Sequence, residues 1–294
     1  MPRPPSGQLG FPGMPEQLFV CTPAKLNTYE ECPRKYRYTY LDRPAPRKGP
    51  PWAHMSVGAA LHLALRAYWD LPLAARVPEA AERLLANAWI NQGFRDQDQE
   101  RGARARAKMW LTMYLATLDP REEPLGAERT VAMKTSAIAF SGRVDRVDGH
   151  HTRRNEAIVI DYKTGRTPPT DHDAASSRQL ALYALATSRT LRRACQRVEL
   201  HHLPSGTVAS HTHTEASLAR HLRRAEATAQ DVQDGQKELK AGKDPDRVFP
   251  ANPGSRCGWC DFNRVCAEGQ RAADPQEPWA ALSPKAVNEQ RLAA

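Results

Sequence analysis

The chain has 294 residues, enough to bury a full core as one large domain or two small ones. Lysine and arginine outnumber aspartate and glutamate by 42 to 33, and the formal charge of +9 favours polyanionic partners, nucleic acid first among them. No stretch approaches the roughly 18 consecutive apolar residues of a membrane span, and "MPRPPSGQLGFPGMPEQ" lacks the apolar core of a signal peptide. A soluble, cytoplasmic protein with no membrane partner is therefore expected.

In chain order, residues 1–20 read as a loosely ordered leader rich in proline and glycine. Helices are expected near 25–40, 56–70, 78–95 and 100–118, the first capped by Asn27 or Thr28 in "LNTYEECPRKYRYTYL". From about residue 125 the period changes, and "ERTVAMK", "AIAFSGRVDRVD" and "EAIVIDYK" read as three successive strands. A helix follows in "SSRQLALYALATS", then a hairpin around Pro204-Ser205-Gly206 and a long arginine-rich helix over 215–241. Residues 269–294 read as a flexible polar tail. The expected fold class is α/β, a mixed central sheet flanked by helices. One domain spans 21–268, with a helical insertion at 56–118 and a cysteine-rich region at 250–268.

The chemistry concentrates in "AIVIDYKTG", residues 157–165. Side chains alternate along a strand, so Asp161 and Lys163 project to one side and Tyr162 to the other. Taken alone, that pair is an ordinary strand-end ion pair worth ~0–1 kcal/mol. A second carboxylate stands 16 positions earlier, Asp145 in "SGRVDRVDG", at a distance that suits neighbouring strand ends; Asp148 is the alternative. Two carboxylates and a lysine at one sheet edge can hold Mg²⁺ or Mn²⁺, hard cations suited to oxygen ligands and to phosphodiester hydrolysis.

Asp145 in "GRVDRVD", Asp161-Tyr162-Lys163 in "IDYKTG", Gln179 to Tyr183 in "RQLALYA" and His62 in "VGAALHLAL" resemble the PD-(D/E)XK nuclease superfamily in order and spacing, specifically its RecB-type exonuclease branch. The resemblance implies a restriction-endonuclease-like core. In it His62, Asp145 and Asp161 coordinate the metal with help from the Tyr162 carbonyl, Lys163 is the catalytic lysine, and Gln179 and Tyr183 stand beside the site. Independently of any family, Gln179 and Tyr183 share a helix face at i, i+4. Gly58, one turn before His62, is expected to leave open space for a ligand. Glu128, heading "ERTVAMK", is a weaker match to an acid of related nucleases; a strand-start glutamate is usually just solvated.

"CGWCDFNRVC" spaces Cys257, Cys260 and Cys266 as C-x2-C-x5-C. Three thiolates in a reducing compartment point to a metal group rather than disulfides, and spacing alone does not separate Fe–S from Zn²⁺. A subset of RecB-type nucleases, AddB-like and CRISPR-associated, pairs such a triplet with one N-terminal cysteine around a [4Fe–4S] cluster. The resemblance thus assigns Cys32 as fourth ligand and makes the cluster a staple across the nuclease core. Trp259 is expected to shield it, and Cys21 and Cys195 to be buried free thiols.

The expected function is a Mg²⁺- or Mn²⁺-dependent DNA exonuclease in repair, recombination or processing, acting on single-stranded DNA or free ends. Two other readings compete with it: a silent nuclease-fold DNA-binding subunit serving a helicase in trans, and an Fe–S or zinc sensing protein. Intact Asp145, Asp161 and Lys163 favour the enzyme. His201, His202, His211 and His213 could form a metal site only if the hairpin gathered them, and Arg220, Arg223 and Arg224 form a basic face equally suited to phosphates or to water.

Overall fold

The computed structural model describes residues 18–150, 152–153 and 155–283. The leader expected over 1–20 therefore lies outside the described residues up to position 17, as does the tail from 284. At the described end of the leader, Phe19–Cys21 forms a short strand, β1, with Phe19 and Cys21 buried.

Helices α1 (Pro23–Glu31) and α2 (Pro33–Tyr40) replace the single helix expected over 25–40. Pro33 cannot continue a helix, so Cys32 turns extended and serves as the C-cap of one and the N-cap of the next. The first cap is Thr22, whose Oγ1 accepts from the Lys25 amide at 3.2 Å. Asn27 instead accepts from Arg178, and Thr28 bonds back to the Ala24 carbonyl. Three helices follow: α3 (Ala53–Trp69), α4 (Ala81–Ala88) and α5 (Gln97–Leu115), the last capped by Asp96.

Strands β2 (Gly126–Lys134), β3 (Ile138–Gly149) and β4 (Glu156–Lys163) lie where the alternating sequences place them. Next come α6 (Asp171–Ser176), α7 (Arg178–Leu191), the hairpin of β5 (Ala194–His202) and β6 (Val208–Thr212), and α8 (Glu215–Lys240). Short helices α9 (Pro245–Val248) and α10 (Ala267–Ala272) flank the cysteine region.

The six strands form one mixed sheet in the order β1-β3-β4-β5-β6, with β2 paired to β3. Two apolar cores sandwich it. Val159 faces a core that includes residues of α1, α7 and α8, while Ile158, Ile160 and Tyr162 face α3, α4 and α5. Burial on both faces explains why β4 reads as a continuous apolar run. The described part of the expected tail is packed rather than free. The Ala53 amide bonds the Pro278 carbonyl, the Gln276 amide bonds that of Gly258, and Leu282 packs against the α3–α5 core. Sparse apolar residues, buried Pro278 and half-buried Leu282 among them, anchor a segment whose composition is otherwise polar.

Candidate active site

The site is a gap in the sheet. One edge of β3 pairs with β1 at residues 138–140 and with β4 at 146–149, which leaves 141–145 unmatched between them. Asp145 fills the opening: its Oδ2 accepts the Tyr162 amide at 2.8 Å, and its Oδ1 lies 3.2 Å from His62 Nδ1. Because the N–H and C=O of one strand residue point to the same neighbour, the Tyr162 carbonyl also faces this gap.

Asp161 is buried, 5% exposed, and not at an exposed strand end as the sequence suggests. Its Oδ1 accepts from Gln179 Nε2 at 3.1 Å and its Oδ2 pairs with Lys163 Nζ at 2.5 Å, while the Lys163 side chain keeps 45% of its surface in solvent. Tyr183, one turn beyond Gln179 on α7, packs its ring on Gly142, where an added Cβ would stand 2.4 Å from Tyr183 Cε1. Gly142 is thus a position of required close approach.

Glu128 completes the acid cluster. Its Oε1 lies 4.0 Å from His62 Nδ1, and Arg143 reaches its Oε2 at 3.5 Å. His62, Glu128 and Asp145 each offer a ligand atom within 4.8 Å of the others, the one such group among the described residues. Glu128, the weaker of the acids the sequence offers, has φ 48°, an unusual backbone for a residue with a Cβ that no sequence pattern announces. Asp161 does not join the trio because Gln179 and Lys163 engage its two oxygens.

The electrostatics suit a cation. Burial raises the Asp161 carboxyl, and the Asp145 charge adds to it against Lys163. Burial and Asp145 likewise raise Glu128. At His62 burial opposes charge, but the hydrogen bond and charge of Asp145, with Asp161 and Glu128, outweigh it and raise the imidazole. Burial raises the Tyr183 hydroxyl, with the three acids adding to the effect. Crowded carboxylates of this kind gain most from a divalent ion.

Asp148, the alternative acid, lies elsewhere, since positions 145 and 148 alternate to opposite faces of β3. It pairs with buried Arg146 at 2.9 Å. Arg146 also donates to the hydroxyls of Tyr114 at 3.3 Å and Tyr162 at 3.5 Å, and the Tyr114 hydroxyl meets His201 Nδ1 at 2.7 Å. This network fixes the Tyr162 ring, which packs edge-on against His62 at 5.7 Å. Its members are scattered over four elements, so spacing could not reveal it.

Two expectations are corrected. The space over Gly58 is taken by Thr164, whose Oγ1 would lie 3.1 Å from an added Cβ, so the glycine lets the end of β4 approach α3. The four hairpin histidines do not converge: His201 bonds Glu199, His202 bonds Ser205 and the Gly165 carbonyl, and His211 and His213 contact each other's rings.

The cysteines gather at a second place. Cys32, Cys257, Cys260 and Cys266 line one cavity of ≈ 370 Å³ between α2 and the 251–269 segment. Burial raises the Cys260 and Cys266 thiols, and Cys32 adds to both. The Asn252 amide donates to Cys32 Sγ at 3.4 Å. No three of these sulfurs lie within 4.8 Å of one another. Trp259 lines the same cavity but remains 41% exposed. Cys21 and Cys195 are buried free thiols, pushed up by burial to about 11 and about 12.

Residues 21–267 match the PD-(D/E)XK nuclease superfamily, and the chain belongs to it. No curated protein matches the chain. Among solved structures, SSO0001 is similar at 14% identity, covering 86% of this chain and 89% of that one with a TM-score of 0.38. A protein from Eubacterium rectale described as a candidate exonuclease is 8% identical, covering 74% and 82% with a TM-score of 0.42. No helix among the described residues is long and apolar enough to cross a membrane.

Proposed function

We propose that the chain is a Mg²⁺- or Mn²⁺-dependent DNA exonuclease of the RecB-type branch, working in repair, recombination or processing. The observation that carries it is the convergence of His62, Glu128 and Asp145 beside the Asp161–Lys163 pair. The donor set, one imidazole and hard carboxylate oxygens, fits such an ion; the Tyr162 carbonyl faces the same gap, and Asp161 would join on exchanging its Lys163 contact for the ion. A bound ion would supply Lewis-acid stabilisation of the charge that develops on the scissile phosphate.

The chain's own groups do the rest. Lys163 Nζ, positioned by Asp161 and open to solvent, orients the attacking water and steadies the developing negative charge. Gln179 and Tyr183 hold the Asp161 side of the pocket, and Asp145 keeps His62 and the Tyr162 amide in place. We take residues 21–268 as one nuclease domain.

The cysteine cavity is read as the site of a [4Fe–4S] cluster in preference to Zn²⁺ on the resemblance of Cys32 and the Cys257, Cys260 and Cys266 triplet to cluster-bearing RecB-type nucleases. A four-thiolate cluster would join α2 to the segment after α9 and act as a staple. About four irons with matching sulfide per chain, purified anaerobically, are expected. One zinc and no iron would replace the cluster.

The exonuclease reading is tested with linear and circular single-stranded DNA plus Mg²⁺ or Mn²⁺. Loss of the linear substrate, with survival of the circle and of EDTA-treated samples, is the expected result. Cleavage of the circle would make the enzyme an endonuclease, and no cleavage of either would remove the function.

A further inference from the structure

A second concave surface, outside the metal site, carries positive charge without a counter-ion. Arg47, Lys48 and Arg264, with Gly49, Pro50 and Val265, line a cleft of ≈ 550 Å³. No carboxylate lines it, and among the described residues none of its three cations makes an ion pair with one. Asp261, the neighbouring acid, is engaged: its Oδ1 accepts from Trp52 Nε1 at 2.7 Å, and its backbone carbonyl accepts from the Gly49 amide at 2.8 Å. Three cations held around one cleft repel each other, and an anion spanning them relieves that repulsion.

Aromatic rings lead from the cleft's edge onto α3, the helix that carries His62. Trp52, fixed by Asp261, packs on Trp259 at 5.4 Å, and Trp259 meets His54 at 6.0 Å. His54 lies two turns before His62 on α3, about 12 Å along the helix axis. The exposed Val265, 46% open, adds apolar surface to the cleft itself, and the half-exposed Trp259 adds more through its contact with Trp52. Charge for a backbone combined with an aromatic face for bases is the pairing that binds unstacked nucleotides, because a duplex hides its base faces.

We infer that the Arg47–Lys48–Arg264 cleft and the Trp52–Trp259 pair form a binding subsite for a single strand of nucleic acid leading toward the metal site. The inference rests on the nuclease reading for its direction. It gives the 255–266 loop a substrate contact in addition to its cysteines.

The test is fluorescence anisotropy of the full chain, with any bound cluster intact, in EDTA-free buffer lacking divalent ions. A labelled oligothymidylate and a duplex of the same length serve as probes. For the Arg47→Ala/Lys48→Ala/Arg264→Ala variant, the slope of log affinity against log salt should shallow by about 0.7 per lost phosphate contact. Trp259→Ala should weaken single-strand binding ~5–100-fold while Trp259→Phe, which keeps a ring, retains most of it. Matching melting curves and iron content establish that the variants fold. An unchanged slope with affinities within about twofold of the parent overturns the subsite, as does an equal loss for duplex and single strand. If the parent cleaves DNA but the variants bind like it, only this inference fails. If the parent binds as described but never cleaves, only the nuclease reading fails.

Discussion

Gly142→Ala tests whether the α7 helix is seated against the site as closely as the structure requires. The new methyl would stand 2.4 Å from Tyr183 Cε1, 3.3 Å from Cδ1 and 3.4 Å from Pro23 Cδ. Ordinary carbon contacts lie at ~3.5–4.0 Å, so the ring must retreat by over ~1 Å. Tyr183 is 7% exposed and packs on Phe140 at 6.3 Å, which leaves it little room. Overpacking of this kind costs ~1–3 kcal/mol. Urea unfolding of the single variants and of Gly142→Ala/Tyr183→Ala gives the coupling. With the ring removed the methyl meets no obstacle, so the double variant should be more stable than the sum of the single losses by ~1–3 kcal/mol. Strict additivity would refute the contact and with it the placement of Tyr183.

Three further outcomes are expected. Asp161→Asn and Lys163→Ala should each lower DNA cleavage by at least ~10²-fold with native-like circular dichroism, since the isosteric amide still fills the buried site and the lysine end is solvated. Full activity in both would remove them from the chemistry. At Glu199 burial favours protonation, but bonds from His201 and Arg197 outweigh it and hold the carboxyl at about 2. That stability is present above about pH 4.5 and is lost as pH falls toward 2, up to about 3 kcal/mol, so Glu199→Gln should flatten the acid limb of an unfolding titration. Burial, with His211 and His221, pushes the His213 imidazole down to about 4. A folded-state value below the unfolded one makes stability fall as pH drops from about 6.5 toward 4, and His213→Gln should remove that slope in melting curves; an unchanged slope would refute it.

Much of this architecture was legible because its signals are periodic. The strands at "ERTVAMK" and "AIAFSGRVDRVD" alternate, β4 is apolar on both faces, and the α7 pair recurs at i, i+4, so each follows from local geometry. The break at Cys32 was readable from Pro33 and was obscured by the helical character of the flanks. Strand β1 is three residues long, too short for a period to register, and is held by pairing with β3. At the site, Asp145 and Asp161 were visible as acids in strand sequences, although Asp145 lies inside β3 at the pairing gap and not at a strand end, whereas the approach of Glu128 depends on a positive φ and a strand partner that spacing does not encode. The buried state of Asp161 was hidden for a similar reason, because only the packing of α7 shows that Gln179 closes over it.

The central claim is that the cluster around Asp145 makes this chain a metal-dependent nuclease. It is tested most directly by end-labelled DNA cleavage with Mn²⁺, comparing the parent with Asp145→Asn, whose amide oxygen can still accept the Tyr162 amide but has lost the ligand charge. The account predicts labelled products from the parent, none in EDTA, and at least ~10²-fold less from the equally stable variant. Equal cleavage by both proteins, or none by the parent with either metal, would contradict it.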